Sequence, residues 1–236
     1  MSAITFPTST CTVTTTTFTN PAPIAIPATG TEGPGSPYPS PIVVAGLTGT
    51  ILQVTATFNG LSSTFPADIN ALLVGPSGEN VILMATTGGS EDINNVTLTF
   101  DDSAPTQLPE EAQIVSGTYQ PTDYGIFTPF TPPAPPPPYG STLSVFNGTN
   151  PNGTWNLFIY DQFEIDVGAI AGGWELTITS CEQGANTILD IQATQNENVV
   201  NQTLQNIEPK QLSKEDKVQK EKKIELIKEM KELKEL

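Results

Sequence analysis

Six carboxylates, Asp68, Asp101, Asp102, Asp161, Glu164 and Asp166, stand at the ends of expected strands or in the short loops beside them. Ca²⁺ takes about six to eight oxygen ligands, and strand-end loops offer carboxylates together with freed backbone carbonyls. If two of these loops meet, a calcium site is the expected result. Glu91 and Asp92, in the run GGSEDINN, are further acids of the same kind. Paired carboxylates can also hydrolyse glycosides, but Asp161, Glu164 and Asp166 lie without aromatic residues arranged as a sugar cleft. A hard cation suits them better than catalysis.

What is missing narrows the chemistry further. All nine Lys and Arg residues lie between Lys210 and Lys234, and His is absent. A serine or cysteine hydrolase of the common kind needs a base that titrates near neutrality, and residues 1–209 contain neither imidazole nor amine side chain. Residues up to Ile207 hold seventeen of the twenty-five acids, for a net charge of −17, and the rest of the chain carries +1. Binding to phosphate backbones draws on Lys and Arg that displace condensed counterions, so no nucleic acid partner is expected for the body, nor an anionic lipid surface. Such a surface attracts cations and stays soluble by self-repulsion.

The elements that must position these acids read as strands. Candidates fall at about 12–19, 42–46, 50–58, 69–75, 80–85, 95–101, 112–118, 142–147, 154–161 and 170–180, bounded by Gly, Pro, Asn or Asp. Leu52, Val54, Ala56 and Phe58 alternate with Gln53, Thr55 and Thr57. Val96, Leu98 and Phe100 repeat the pattern against Thr97 and Thr99. Each strand should then have one core face and one wet face, as in a two-sheet sandwich. GPSGEN places a tight turn between INALLV and VILMA, which reads as a hairpin. Trp155, Leu157 and Ile159 share one face of a late strand, and Trp174, Leu176 and Ile178 share one face of the next. Residues 20–41 hold too many prolines for a central strand. Residues 128–140 should be largely polyproline II, with PPPY at 136–139 matching a short WW-domain ligand but reading as a stiff surface loop.

The flanks differ from the body. Residues 1–7 show no positively charged or apolar leader segment, and no apolar run approaches the length of a membrane span. The composition is nevertheless of extracellular style, which points to a cell, spore or particle surface. Cys11 and Cys181 lie near the two ends of the body; a bridge between them, two free thiols and intermolecular pairing all remain open. Asn95, Asn147, Asn152 and Asn201 begin Asn-X-Ser/Thr sequons, read here as turns. The chain divides into an extension (1–11), a β-sandwich (12–182), a polar linker (183–212) and a charged amphipathic helix (213–236). Ser213 stands as the N-cap, and Ile224, Leu226, Ile227, Met230 and Leu233 form the contact stripe. A lone helix of that length is marginal in water, so a protein partner or a second copy should cover it.

The segment from Ser141 to Thr179, with Asn152-Gly153-Thr154-Trp155, the strand Leu157 to Tyr160 ending at Asp161, a Gly168 loop and Gly173-Trp174-Glu175-Leu176, resembles the closing half of the P domain (P/Homo B) of proprotein convertases and bacterial secreted proteins. Upstream, PADINALLVGPSGENVIL is similar to that family's aspartate, strand, hairpin and second strand. The resemblance covers about residues 12–181. It implies an all-β jelly-roll β-sandwich resembling galactose-binding domains, and calcium sites of the kind found among bacterial members. It implies a non-catalytic role as well, either as a surface binding or structural module or as a stabilising accessory to a separately encoded subtilisin-like protease. A carbohydrate-binding module, with a glycan as partner, is the further reading that the fold analogy allows.

Overall fold

β-branched and aromatic residues in alternation, broken by Gly- and Pro-rich turns, fold into two sheets packed face to face. The computed structural model describes residues 11–27, 29–30, 32–126 and 130–183. They lie within one compact unit, Ser9–Gly184. The expected linker and helix, with Ile224, Leu226, Ile227, Met230 and Leu233, fall outside the described residues.

The first sheet is built around β5 (Thr50–Ser63). One edge of β5 pairs with β13 (Trp174–Gln183) along its first part and with β12 (Gly168–Ile170) along its last residues. Beyond these lie β1 (Cys11–Asn20) on β13 and β2 (Ile24–Ile26) on β12. The other edge takes β8 (Ile93–Phe100), followed by β9 (Gly117–Tyr119). The second sheet runs β10 (Thr122–Asp123), β7 (Asn80–Ala85), β6 (Ile69–Val74), β11 (Gly153–Asp161) and β3 (Gly33–Pro34), and β4 (Ser40–Val44) also pairs with β11. Most pairings are antiparallel; β8 with β9 and β7 with β10 are parallel. The described residues form an all-β sandwich.

Between the sheets lies one apolar core containing Val54, Ala56, Phe58, Leu98, Phe100, Leu157, Ile159, Leu176 and Ile178. Both tryptophans are fully buried in it, and a buried indole N–H needs an acceptor. Trp155 Nε1 donates to the Pro151 carbonyl (3.0 Å) and Trp174 Nε1 to Ser40 Oγ (3.0 Å). The residues that carry the family resemblance hold this core together. Asn152 accepts the Leu47 N–H (3.1 Å) and donates to the Leu47 carbonyl (2.8 Å), pinning the loop before β5 to the start of β11. Gly173 takes φ +69° against the end of β1, where a Cβ would lie 2.0 Å from the Asn20 carbonyl oxygen, so only glycine lets β13 begin there.

Five expectations are corrected. Residues 142–147 contain a 3-10 helix, Leu143–Phe146, in place of a strand. Its first N–H groups are bonded from outside the helix, Leu143 N (2.8 Å) and Ser144 N (2.7 Å) donating to the Asp102 carboxylate. The segment 112–118 contributes only the short β9, and 170–180 is broken by the turn at Gly172 and Gly173 into β12 and β13. Leu52 does not share the core face of β5: Thr179 pairs with Gln53 and Ser180 with Ile51, so Leu52 is bulged out of the ladder and 44% exposed.

The last correction concerns the wet faces. The outer face of the first sheet is open and rich in threonine, with hydroxyl pairs Thr15–Thr179 (2.9 Å), Thr17–Thr177 (2.8 Å) and Thr57–Thr99 (3.0 Å). The outer face of the second sheet is covered. Leu72, Ile82, Ala85, Phe158 and Tyr160 form a second buried cluster with Phe130, and Tyr38, Ile126, Ala134 and Tyr139 pack on it. The proline-rich segment therefore serves as a lid of core rather than a free ligand. Tyr139 of the PPPY run packs edge-on against Phe130 (5.7 Å between ring centres) and donates to the Pro135 carbonyl (3.0 Å).

Cys11 and Cys181 are joined by a disulfide across β1 and β13, with 5.5 Å between Cα atoms. Closing a loop of this length restricts the unfolded chain by about 5 kcal/mol in the chain-entropy treatment. Replacing both cysteines by serine is expected to lower the melting temperature markedly while the fold is kept, as thermal unfolding in the presence and absence of reductant will read. An equal melt for both proteins would show that the bridge contributes nothing.

Candidate functional site

Sheet register divides the six expected ligands between two places. Ser63, at the end of β5, pairs with Gly168, and Ala56, nearer its start, pairs with Phe100. Asp166 therefore belongs to one end of β5, and Asp101 and Asp102 to the other. Asp101 and Asp102 are occupied in shaping the chain. Asp101 Oδ1 accepts Ser103 N (2.8 Å), Ser103 Oγ (2.8 Å) and Gln53 Nε2 (3.2 Å), and Asp102 caps the 3-10 helix. Glu164 is exposed in the loop between β11 and β12, and Glu91 and Asp92 are exposed before β8. A single site built from all six is not what the fold makes.

At the β11 end, three of the expected acids do approach one another. Asp68 closes a 3-10 helix, Pro66–Asp68, immediately before β6, and Asp161 is the last residue of β11. The antiparallel pairing of Asp161 with Ile69 sets them side by side. Asp161 is 2% exposed and Asp68 5%. Asp166 follows in the next loop, where its Oδ1 accepts the Thr64 hydroxyl (2.9 Å). Glu32 joins them through β3, whose Gly33 pairs with Asp161. Glu32 sits in a Gly- and Pro-rich segment without alternation, so nothing in its sequence context marks it for this place. The burial of Asp161 had a signal, however: it continues the parity of Trp155, Leu157 and Ile159 onto the inner face.

The electrostatics follow from burial among like charges. Burial pushes Asp161 up to about 7; the Phe163 N–H opposes this, and the charges of Asp68, Asp166 and Glu32 add to it. Burial raises Asp68 to about 6, helped by the charge of Asp166. The Asn70 side chain, fully buried on β6, donates to Gln162 Oε1 (3.0 Å), and Gln162 N donates to the Asp68 carbonyl (2.9 Å), so the backbone around the pair is tied down. Among the described residues no group of three or more His, Cys, Asp or Glu side chains is placed to hold a metal ion. The pair as it stands supplies two inward carboxylates and binds protons.

The sign of the pH dependence is set by those shifts. Between about pH 4 and pH 7 the folded protein holds protons that the unfolded chain has released, so these two groups favour the fold most below about pH 4, and that contribution is lost progressively as pH rises through 6 and 7. Asp161→Asn is expected to stabilise the protein at pH 8 by about 1–3 kcal/mol and by less than about half as much at pH 5. Urea unfolding at the two pH values measures this, and a variant destabilised at pH 8 would contradict it. Millimolar Ca²⁺ in the same titration tests the cation: a rise in stability at pH 8 that is lost in Asp161→Asn would assign an ion to the pair.

No protein-family model matches the chain and no curated protein matches it in sequence, so its chemistry is read from its own residues.

Proposed function

We propose that this chain is a non-catalytic binding and structural module of an extracellular, cell, spore or particle surface. In this reading it is a P-domain-like jelly roll, with the sequence at 213–236 acting as a helix that attaches it to a protein partner or to further copies. The observation that carries the reading is the poverty of acid–base chemistry in the body. Residues 1–209 hold no Lys, Arg or His, and the two carboxylates raised toward neutrality, Asp68 and Asp161, are buried where no substrate reaches them. General acid–base catalysis needs a group tuned near the working pH and in contact with substrate.

Other features support the same reading. The disulfide belongs to oxidising surroundings such as a cell exterior. Asn152, Trp155, Gly173 and Trp174, which carry the family resemblance, serve the core and its loops, so the resemblance speaks for architecture rather than for proteolysis. Among the described residues no helix is long and apolar enough to cross a membrane.

Trypsin cuts after Lys and Arg, so it can remove the tail without touching the chain before Lys210. Light scattering on intact and trypsin-trimmed protein is expected to show multimers, or a complex with a partner, that fall to the monomer mass on trimming. An intact chain that is monomeric and captures no partner would remove the attachment role. Turnover of a substrate by purified protein, abolished by replacing a carboxylate of the body, would remove the non-catalytic reading.

A further inference from the structure

A cleft opens along the β10 edge of the second sheet, where the chain after β8 meets β10 and the segment leading into the second 3-10 helix. It encloses about 640 Å³, within the roughly 300–1,000 Å³ of small-molecule sites. Ile82, 1% exposed, and Pro121, also buried, lie behind its wall, and the side chains it presents are carboxylates, carboxamides and hydroxyls.

The hydrogen-bond inventory defines what would complete the cleft. Asp102 holds one wall rigid by accepting two backbone N–H groups, and Gln120 Nε2 holds another by donating to the Ala104 carbonyl (2.9 Å). Asp123 Oδ1 accepts Gly125 N (2.8 Å). The second Asp123 oxygen, Gln120 Oε1, the whole Gln107 carboxamide and the Ser141 hydroxyl then remain to face solvent. These groups accept more hydrogen bonds than they donate, and no Lys, Arg or His lines the cleft. An anion would meet two carboxylates and no counter-charge. A ligand rich in hydroxyl donors, uncharged and of modest size, meets acceptors on several sides at once.

We propose that this cleft is a saccharide-binding site, with Gln107, Gln120, Asp123 and Ser141 as its recognition groups and Asp102 as a positioning residue that fixes the wall carrying Ser141. The proposal rests on the binding-module reading and supplies it with a ligand class and a place. Sugar hydroxyls donate to Asp123 and Gln120 Oε1, and Gln107 pairs with a neighbouring hydroxyl as donor and acceptor.

Saturation-transfer NMR on the full chain, with methyl glycosides of glucose, galactose, mannose and N-acetylglucosamine and with spermidine and inorganic phosphate as comparisons, tests it. At least one glycoside is expected to bind, with affinity reduced about fivefold or more by Gln107→Ala and by Asp123→Ala, each the loss of a hydrogen bond or more. Thr17→Ala, on the outer face of the first sheet, is expected to leave the affinity unchanged. All three side chains are exposed, and thermal melts confirm that the variants are folded. The absence of glycoside binding, glycoside binding indifferent to the cleft variants, or binding of spermidine alone would each overturn the assignment while leaving the non-catalytic reading intact. Hydrolysis of a bound glycoside would instead overturn that reading.

Discussion

A carboxylate in this body has no cationic partner to turn to, and much of the structure is an answer to that constraint. The acids are met by neutral donors. Asp101, Asp102 and Asp123 accept backbone N–H groups in turns and at a helix start, Asp166 and Glu182 accept threonine hydroxyls, and Glu175 accepts the Asn59 carboxamide. Bonds of this kind to ionised oxygens are stronger than neutral ones, so the acids become organisers of loop geometry. Where burial leaves few donors, at Asp68 and Asp161, it pushes the carboxyl pKa upward and favours the protonated form.

The same constraint separates two groups of acids by function. Asp68 and Asp161 are turned inward and their chemistry is spent on the fold. Asp102 is used to build a wall of the cleft, and Asp123 keeps an oxygen facing outward. An acceptor-rich, cation-free cleft selects against anions and in favour of hydroxyl donors, which is specificity achieved by what is left out as much as by what is present.

Much of the sandwich was legible in the sequence, because its strands obey a period of two. Trp155, Leu157 and Ile159, Trp174, Leu176 and Ile178, and Val96, Leu98 and Phe100 all lie in the core as their alternation implies. The GPSGEN hairpin was equally readable, and Gly75 N donating to the Glu79 carbonyl (2.8 Å) closes it. What escaped was whatever long-range contacts decide. LSVF reads as a strand until Asp102 caps it as a 3-10 helix. The outward Phe158 and Tyr160 count as wet-face residues until a proline-rich segment covers them. Asp161 could be placed on the inner face by parity, but the arrival of Glu32 depends on the two-residue β3, which no periodic pattern can announce.

The joining of the first strand to the last has a mechanical meaning. Cys11 and Cys181 are 170 residues apart along the chain but 5.5 Å apart between Cα atoms. Tension applied through the two flanks passes from one to the other across a covalent link and loads no strand in between. Tethered by its flanks, such a body would ride on a stretched chain as a bead clipped to a cord, bearing no share of the pull.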